Sequence, residues 1–350
     1  MGLTMQAMRA REGTRGTRAT DEMTGARASA AGVPPLLTRV GDGPLLTPTG
    51  RWWEDRAVFN PGAAEDADGV IHLLYRAQGR DMISRIGYAR TRDGVTIEER
   101  VADPVLEPGH NEFERLGLED PRIVRMRDGF YVLYIAASQY EATDVHAGQA
   151  VPWRLPGRPP EEPPWRVRVA LALTKDFRTF TRLGVVLPEL DDKDAVLFPE
   201  KIGGEFVILH RLPPDVWIAT SADLKDWTEH QVVLRTRPAL WDESRVGAGP
   251  PPIRTTEGWL LCYHGADHHN VYRAGFALLA LDDPSRVLGR SDEPVLEPVT
   301  SWEVRGQVPR VVFPTGMVQR GDELLVYYGA ADSVVGVARG SVQAILGSLR

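Results

Sequence analysis

The sequence predicts an all-β protein, a five-bladed β-propeller whose blades converge on a central funnel. Three observations carry this. A proline-marked segment recurs five times: Phe59-Asn60-Pro61-Gly62, Glu119-Asp120-Pro121-Arg122, Phe198-Pro199-Glu200-Lys201, Gly249-Pro250-Pro251-Pro252 and Phe313-Pro314-Thr315-Gly316. Each is followed by a Gly-containing turn and an aliphatic or aromatic run, the strongest short-range hairpin cue. Each run is followed by a further strand in which small residues alternate with aliphatics, which suits packing of sheet on sheet. Units separated by roughly 50–80 residues suggest radial repetition.

The elements follow in order. Residues 1–35 are rich in Arg, Ala, Thr and Gly and have no apolar run of a secretory signal; they read as a disordered leader, with Met23 as a candidate true start. Residues 36–345 read as a single propeller domain. Lead-ins recur at Pro44–Pro48, Pro104–Pro108 and Pro294–Pro298, with looser forms at Val185–Pro188 and Val232–Leu234. The turns are Asp68-Gly69, Asp128-Gly129, Gly203-Gly204, Glu257-Gly258 and Gly321-Asp322, each opening a strand. The further strands are Arg85–Ala89, Arg168–Ala172, Val216–Thr220, Ala274–Leu278 and Val334–Ala338. An insert at 139–165 holds six prolines and leaves the second hairpin. A loop of that length in a compact domain is usually functional or disordered, and here it is expected to overhang the funnel. Only the last ten residues show helical periodicity.

Bulk properties narrow the class. The chain has 350 residues, 43% of them hydrophobic, and a net charge of −7. With a pI near 5.7 it carries no nucleic-acid footprint. One cysteine, Cys262 in an apolar run, excludes an internal disulfide framework and fits a reducing, cytoplasmic setting. No apolar stretch approaches the roughly 20 residues of a membrane helix. No glycine-rich phosphate loop follows a strand, and no Ser or Cys nucleophile motif is visible. His268-His269 would point to opposite faces of a strand, and Asp191-Asp192-Lys193-Asp194 lacks a calcium-loop spacing and reads as a solvated turn, so neither metal nor cofactor is expected.

Repeat positions that vary are the candidates for chemistry, because the scaffold has no reason to vary them. In the proline-marked segments these are Asn60, Glu119, Asp120, Arg122, Glu200, Lys201 and Thr315. Asp120 follows an acid and precedes proline, which restrains its backbone. A buried carboxylate beside other acids tends to hold its proton, as a general acid requires. A second tier ends the strands after the turns: Arg76, His210, Arg211, Tyr263, His264 and Asp332. Arg76, Lys201, His210, Arg211 and His264, joined by Arg168 and Lys193, would form a cation cluster in an acidic protein. That suggests an anionic ligand, phosphate being the simplest.

These segments resemble glycoside hydrolase family 130, the β-mannoside phosphorylases and related β-mannosidases. The resemblance rests on Leu118–Arg122, Lys193–Lys201, Gly247–Ile253, Gly258–Gly265 and Phe313–Gly316 followed by Tyr327–Asp332, and runs from about residue 40 to 340. It implies a five-bladed propeller that cleaves a β-mannosidic bond with inversion. In the phosphorylases, inorganic phosphate gives α-mannose 1-phosphate. The residue matching Asp120 is the proton donor, acting through a sugar hydroxyl. Those matching Arg76, Arg168, Lys201, His210 and Tyr263 would hold phosphate. Asn60 and Asp332, with Glu119, Glu200 and His264 beside them, would hold the sugar. The insert departs from the family pattern.

An inverting hydrolase needs two carboxyls, an acid and a base that activates water. A phosphorylase needs one acid, plus cations that position an anionic nucleophile. One well-placed acid among several cations favours phosphorolysis. The alternatives are a hydrolase of the same family, with Glu200 or Glu243 as base, and a sugar-binding propeller without catalysis. Expected partners are an oligosaccharide and phosphate, with no nucleic acid and no membrane; propeller faces can pair, which leaves homo-oligomerisation, the linkage and the acceptor sugar open.

Overall fold

Five antiparallel meanders make up the computed structural model, which describes residues 35–140, 165–189 and 191–350. The leader expected at 1–35 and the insert at 139–165 therefore lie almost wholly outside the described residues. Strand β1 (Thr38–Arg39) precedes the first meander, β2 (Ala57–Glu65), β3 (Ile71–Gln78), β4 (Ser84–Thr91) and β5 (Glu99–Arg100). The second is β6 (Gly117–Met126), β7 (Gly129–Gln139), β8 (Trp165–Thr174) and β9 (Thr181–Val185). The third is β10 (Lys193–Leu197), β11 (Phe206–Leu212), β12 (Asp215–Ser221) and β13 (Thr228–Leu234). The fourth is β14 (Arg245–Ala248), β15 (Ile253–Arg254), β16 (Trp259–Ala266), β17 (Tyr272–Leu279) and β18 (Val287–Arg290). The fifth comprises β19 (Val312–Arg320), β20 (Glu323–Ala330) and β21 (Val334–Ser341). Its outer edge is β1, which pairs antiparallel with β21, so the start of the domain completes its last sheet. Two short helices, α1 (Ser301–Val304) and α2 (Val342–Ser348), are the described helices; α2 lies where the terminal periodicity predicts. A single parallel pair, Ser84↔Gly117, joins the first two meanders.

Turn chemistry and strand pattern place these elements as the sequence predicts. The Gly-containing turns open β3, β7, β11, β16 and β20, and the apolar residues of those strands fill clusters between adjacent meanders. Leu73 and Tyr75 pack with Val318, Leu325 and Tyr327, for example, and Val207 and Leu209 pack with Trp259 and Leu261.

Close approaches link the first strands of neighbouring meanders and the segment that follows β14. A Cβ on Gly62 would sit 2.6 Å from the carbonyl oxygen of Pro121, and one on Gly316 2.6 Å from that of Pro61. A Cβ on Gly249 would sit 3.0 Å from the carbonyl oxygen of Pro314, and one on Gly247 2.7 Å from Asp194 Oδ2. Arg122 on β6 reaches Asp194 on β10 at 3.1 Å. Glycine recurs here because neighbouring backbones approach too closely for any side chain.

Four of the five first strands, all but β14, carry a bulge. Register breaks between Phe59 and Gly62, Glu119 and Arg122, Lys193 and Val196, and Pro314 and Gly316. The residue at the kink is left-handed in the first three: Asn60 (φ 47°), Asp120 (50°) and Asp194 (52°). Asn and Asp tolerate this region better than other side chains. One expectation is thereby corrected. The third repeat of the bulge is Lys193-Asp194-Ala195-Val196, not Phe198-Pro199-Glu200-Lys201. Alanine takes proline's place at the bulge, since proline there supplies only a missing N–H, and Phe198-Pro199 lies past the end of β10.

Candidate active site

Asp120 is 7% exposed, and both donors to its carboxylate come from the first meander. Asn60 Nδ2 donates to its Oδ1 at 2.8 Å, and Arg76 donates to the same oxygen at 3.2 Å. The guanidinium also donates to Glu119 Oε1 at 2.6 Å and Ser84 Oγ at 2.9 Å, and lies 4.7 Å over the Phe59 ring. The bulge makes this possible: its left-handed residue turns Asp120 back towards Asn60, the residue at the same place in the neighbouring repeat. Arg122 donates to the main-chain oxygen of Asp120 at 2.6 Å and fixes the kink from behind.

The electrostatics tie two further groups, Asp332 and Lys193, to this point. Burial alone would lower the Arg76 guanidinium, but Glu119, Asp120 and Asp332 outweigh it and hold it above its ordinary value. Burial pushes the Asp332 carboxyl up to about 7; Arg76 opposes, and Asp120 and Glu119 push further. Near neutrality Asp332 is thus present both as acid and as carboxylate. Burial lowers the Lys193 amine, Glu119 opposing and Arg211 reinforcing, with Asp120 and Asp194 also in range.

Asp194 anchors a second cluster and is 1% exposed. Arg122 lies at 3.1 Å, Arg211 at 2.9 Å and His264 Nε2 at 3.4 Å. Burial would raise its carboxyl, yet Arg211, His264 and Arg122 together hold it far below the usual range. Burial holds His264 below the ordinary imidazole value, against the pull of Asp194. Asp192 and Asp194 are both buried, so the tetrad 191–194 is a site element rather than a solvated turn. The signal for Asp194 was its alignment with Asp120, hidden by the missing proline.

Other expected residues lie elsewhere. Each meander carries a buried carboxylate that accepts from an aromatic residue and pairs with a base. In the first, Tyr75 donates to Glu54 at 2.8 Å and Arg100 pairs with Glu54 at 2.7 Å. In the second these are Tyr134, Glu114 and Arg182; in the fifth, Tyr328, Glu303 and Arg39. Tyr263 is the fourth member: it donates to Asp242 at 2.9 Å, receives Arg290 Nε at 3.0 Å and stacks on Trp241. His210 occupies the same position in the third and meets Asp192 at 2.5 Å. Neighbours on a strand face opposite ways, so the structure turns Arg76, Arg211 and His264 to the site and Tyr263 and His210 away from it. Replacing Tyr263 with Phe is therefore expected to cost about 1 kcal/mol of stability; an unchanged urea unfolding midpoint would contradict this role.

Glu200 and Lys201 are not brought to the site either. Glu200 is exposed and pairs with Arg254 at 3.0 Å; Lys201 donates to the Ala222 carbonyl at 3.3 Å and covers Phe206. Arg168 is buried against Asp191, Tyr140 and the Pro188 carbonyl, beside the insert. Glu243 accepts from the Ala239 N–H at 3.2 Å, and His268 and His269 are exposed.

Known proteins similar to this chain are named as mannoside phosphorylases. A family profile described as beta-1,4-mannooligosaccharide phosphorylase, that of glycoside hydrolase family 130, matches residues 48–151 and 163–350. The chain is 43% identical over 310 residues to a 1,2-beta-oligomannan phosphorylase of Thermoanaerobacter sp. (strain X514), covering 86% of this chain and 96% of that one. It is 35% identical over 301 residues to a beta-1,4-mannooligosaccharide phosphorylase of Ruminococcus albus, covering 81% and 82%. The beta-1,2-mannobiose phosphorylase of Listeria innocua, solved with beta-1,2-mannobiose, superposes with a TM-score of 0.75 at 30% identity, over 89% of this chain and 99% of that one. The bulge acids, the cations beside them and these matches lead to one statement: this chain belongs to glycoside hydrolase family 130.

Proposed function

We propose that the protein is an inverting β-mannoside phosphorylase that takes a short mannoside and inorganic phosphate to α-mannose 1-phosphate. The observation that carries this is the composition of the site. Asp120 lies beside Arg76, with Lys193 and Arg211 close by, while Glu119 and Asp194 are already neutralised by guanidinium groups. A hydrolase reading with Glu200 or Glu243 as base gains nothing from their positions, since one is outside and the other is held by a main-chain N–H.

In this reading a phosphate oxygen attacks the anomeric carbon from the face opposite the leaving group. The glycosidic C–O bond breaks, and its oxygen takes the proton that Asp120 supplies through a sugar hydroxyl. Phosphate arrives already anionic, so no base is required; Arg76, Lys193 and Arg211 offset its charge and hold it in line. Asn60 and Asp332 hold the sugar around the same carboxylate. The close approaches between neighbouring meanders, closed by Gly249 against Pro314, support a five-bladed propeller with these residues around its axis.

A β-1,2 linkage is proposed over β-1,4, because the 1,2-specific relative shares more of the sequence. We place the reaction in the cytoplasm, where phosphate and reducing conditions coexist. Among the described residues no helix is long and apolar enough to cross a membrane.

The test incubates the protein with β-1,2- and β-1,4-mannobiose, with and without phosphate. Mannose 1-phosphate is expected from the 1,2-linked sugar, only with phosphate present. Free mannose released at equal rate without phosphate would establish hydrolysis instead.

A further inference from the structure

The buried triads differ in one meander. Four join a tyrosine, a carboxylate and an arginine. In the third, His210 stands for the tyrosine and His230, on β13, stands for the arginine. His210 Nδ1 lies 2.5 Å from Asp192 Oδ2, and its Nε2 lies 3.1 Å from His230 Nδ1. His230 Nε2 in turn lies 3.3 Å from the Trp227 carbonyl oxygen. The rings cross at 89°, edge to face, with centroids 5.1 Å apart.

The hydrogen count along this row sets what a fully bonded arrangement needs. A carboxylate and a carbonyl stand at the two ends, and both only accept. His210 Nδ1 and His230 Nε2 must therefore each carry hydrogen. The nitrogen–nitrogen contact between the rings needs a third. Two neutral imidazoles supply only two; a third hydrogen would give the ring pair one positive charge beside the Asp192 carboxylate, as arginine gives beside the carboxylate in the other triads. Either neutral tautomer of His230 leaves two acceptors facing each other.

We propose that the His210–His230 pair is protonated in the working enzyme and that this proton positions the site cations of the third meander. The linkage is short. Asp192 Oδ1 accepts the main-chain N–H of Arg211 at 2.9 Å, and Asp192 directly precedes Lys193 and Asp194. Lys193 and Arg211 are partners in the β10–β11 register, and Arg211 returns to Asp194 at 2.9 Å. Arginine stays charged at every working pH; an imidazole does not. His230 is exposed, so its proton exchanges freely with solvent. The other charged groups along these elements are Arg211 on β11, Glu229 on β13, and Lys225 and Asp226 in the turn before it. On β12, Trp217 stands opposite His210, and Asp215 is bonded to the Thr236 N–H. Losing the proton as pH rises loosens Asp192, and with it the point from which Lys193 and Arg211 leave the backbone. His210 and His230 are positioning residues here, since neither faces Asp120.

The experiment measures thermal midpoints and phosphorolysis rates of the full chain, His230→Arg and His230→Gln, from about pH 5 to about pH 9. The activity arm rests on the phosphorylase reading; the midpoint arm does not, so a failure of one is distinguishable from a failure of the other. Phosphate's own titration affects all three proteins alike. The wild type is expected to lose midpoint and kcat/KM as pH rises through the imidazole range. His230→Arg should move that alkaline limb up by about one pH unit or more. The midpoint gap between wild type and His230→Gln should close over the same range, which keeps the test decisive if the arginine variant does not fold. An alkaline limb shared by wild type and His230→Arg, or a gap to His230→Gln that stays constant with pH, overturns the proposal.

Discussion

Asp120→Asn is expected to lower phosphorolysis by about 10³-fold, within the span general acid catalysis contributes. Asparagine keeps the volume of Asp120 and can still accept through its oxygen from Asn60 and Arg76, the two donors the structure places on Oδ1. The left-handed backbone at 120 also suits asparagine, as Asn60 in the neighbouring repeat shows. What it loses is a proton to give. The expected signature is a collapse in kcat with an unchanged thermal midpoint and mannoside affinity within a few-fold of wild type. Release of α-mannose 1-phosphate in initial-rate assays reads the first, and calorimetry reads the others. A variant retaining a tenth of wild-type kcat would remove Asp120 from the acid role.

Asp194→Ala should produce the largest loss of stability, about 3–5 kcal/mol, because it leaves buried charges without their partner. Arg122 and Arg211 both end on this carboxylate, and each is nearly inaccessible to solvent. The sign of the pH dependence follows from the depressed carboxyl. Unfolded, the group titrates near about 4; folded, it titrates far lower. Its stabilisation is therefore complete above the unfolded value and fades as pH falls below it. The variant should lie below wild type at neutral pH, and the gap should narrow on acidification. Urea unfolding across that range checks both parts; a gap that widens towards acid would contradict the assignment. Activity should fall at least tenfold as well, since Arg211 loses the anchor that aims it.

The sequence singles out Asp120 as the candidate acid for a local reason. Glu119-Asp120-Pro121 places a carboxylate at a chain kink, and the lack of an N–H on Pro121 is visible in one dimension. The same cue misplaced the third repeat, because the bulge there is built with Ala195 and its lysine and aspartate precede an ordinary-looking strand. Strand parity caused the second error. His210 and Arg211 are adjacent letters, as are Tyr263 and His264, and nothing in the letters says which of each pair faces the cavity. The buried triads settle it, and their members, such as Tyr263, Asp242 and Arg290, come from segments tens of residues apart.

The sequence by itself determined that the chain is all-β, where its turns fall, the family it resembles and which residue, Asp120, to propose as its acid. These are short-range matters of turn chemistry, period-two alternation and local motif. Only the tertiary structure decided which cations stand beside that acid. Side-chain direction depends on bulges and register, and the company a buried charge keeps depends on strands brought together from across the whole chain.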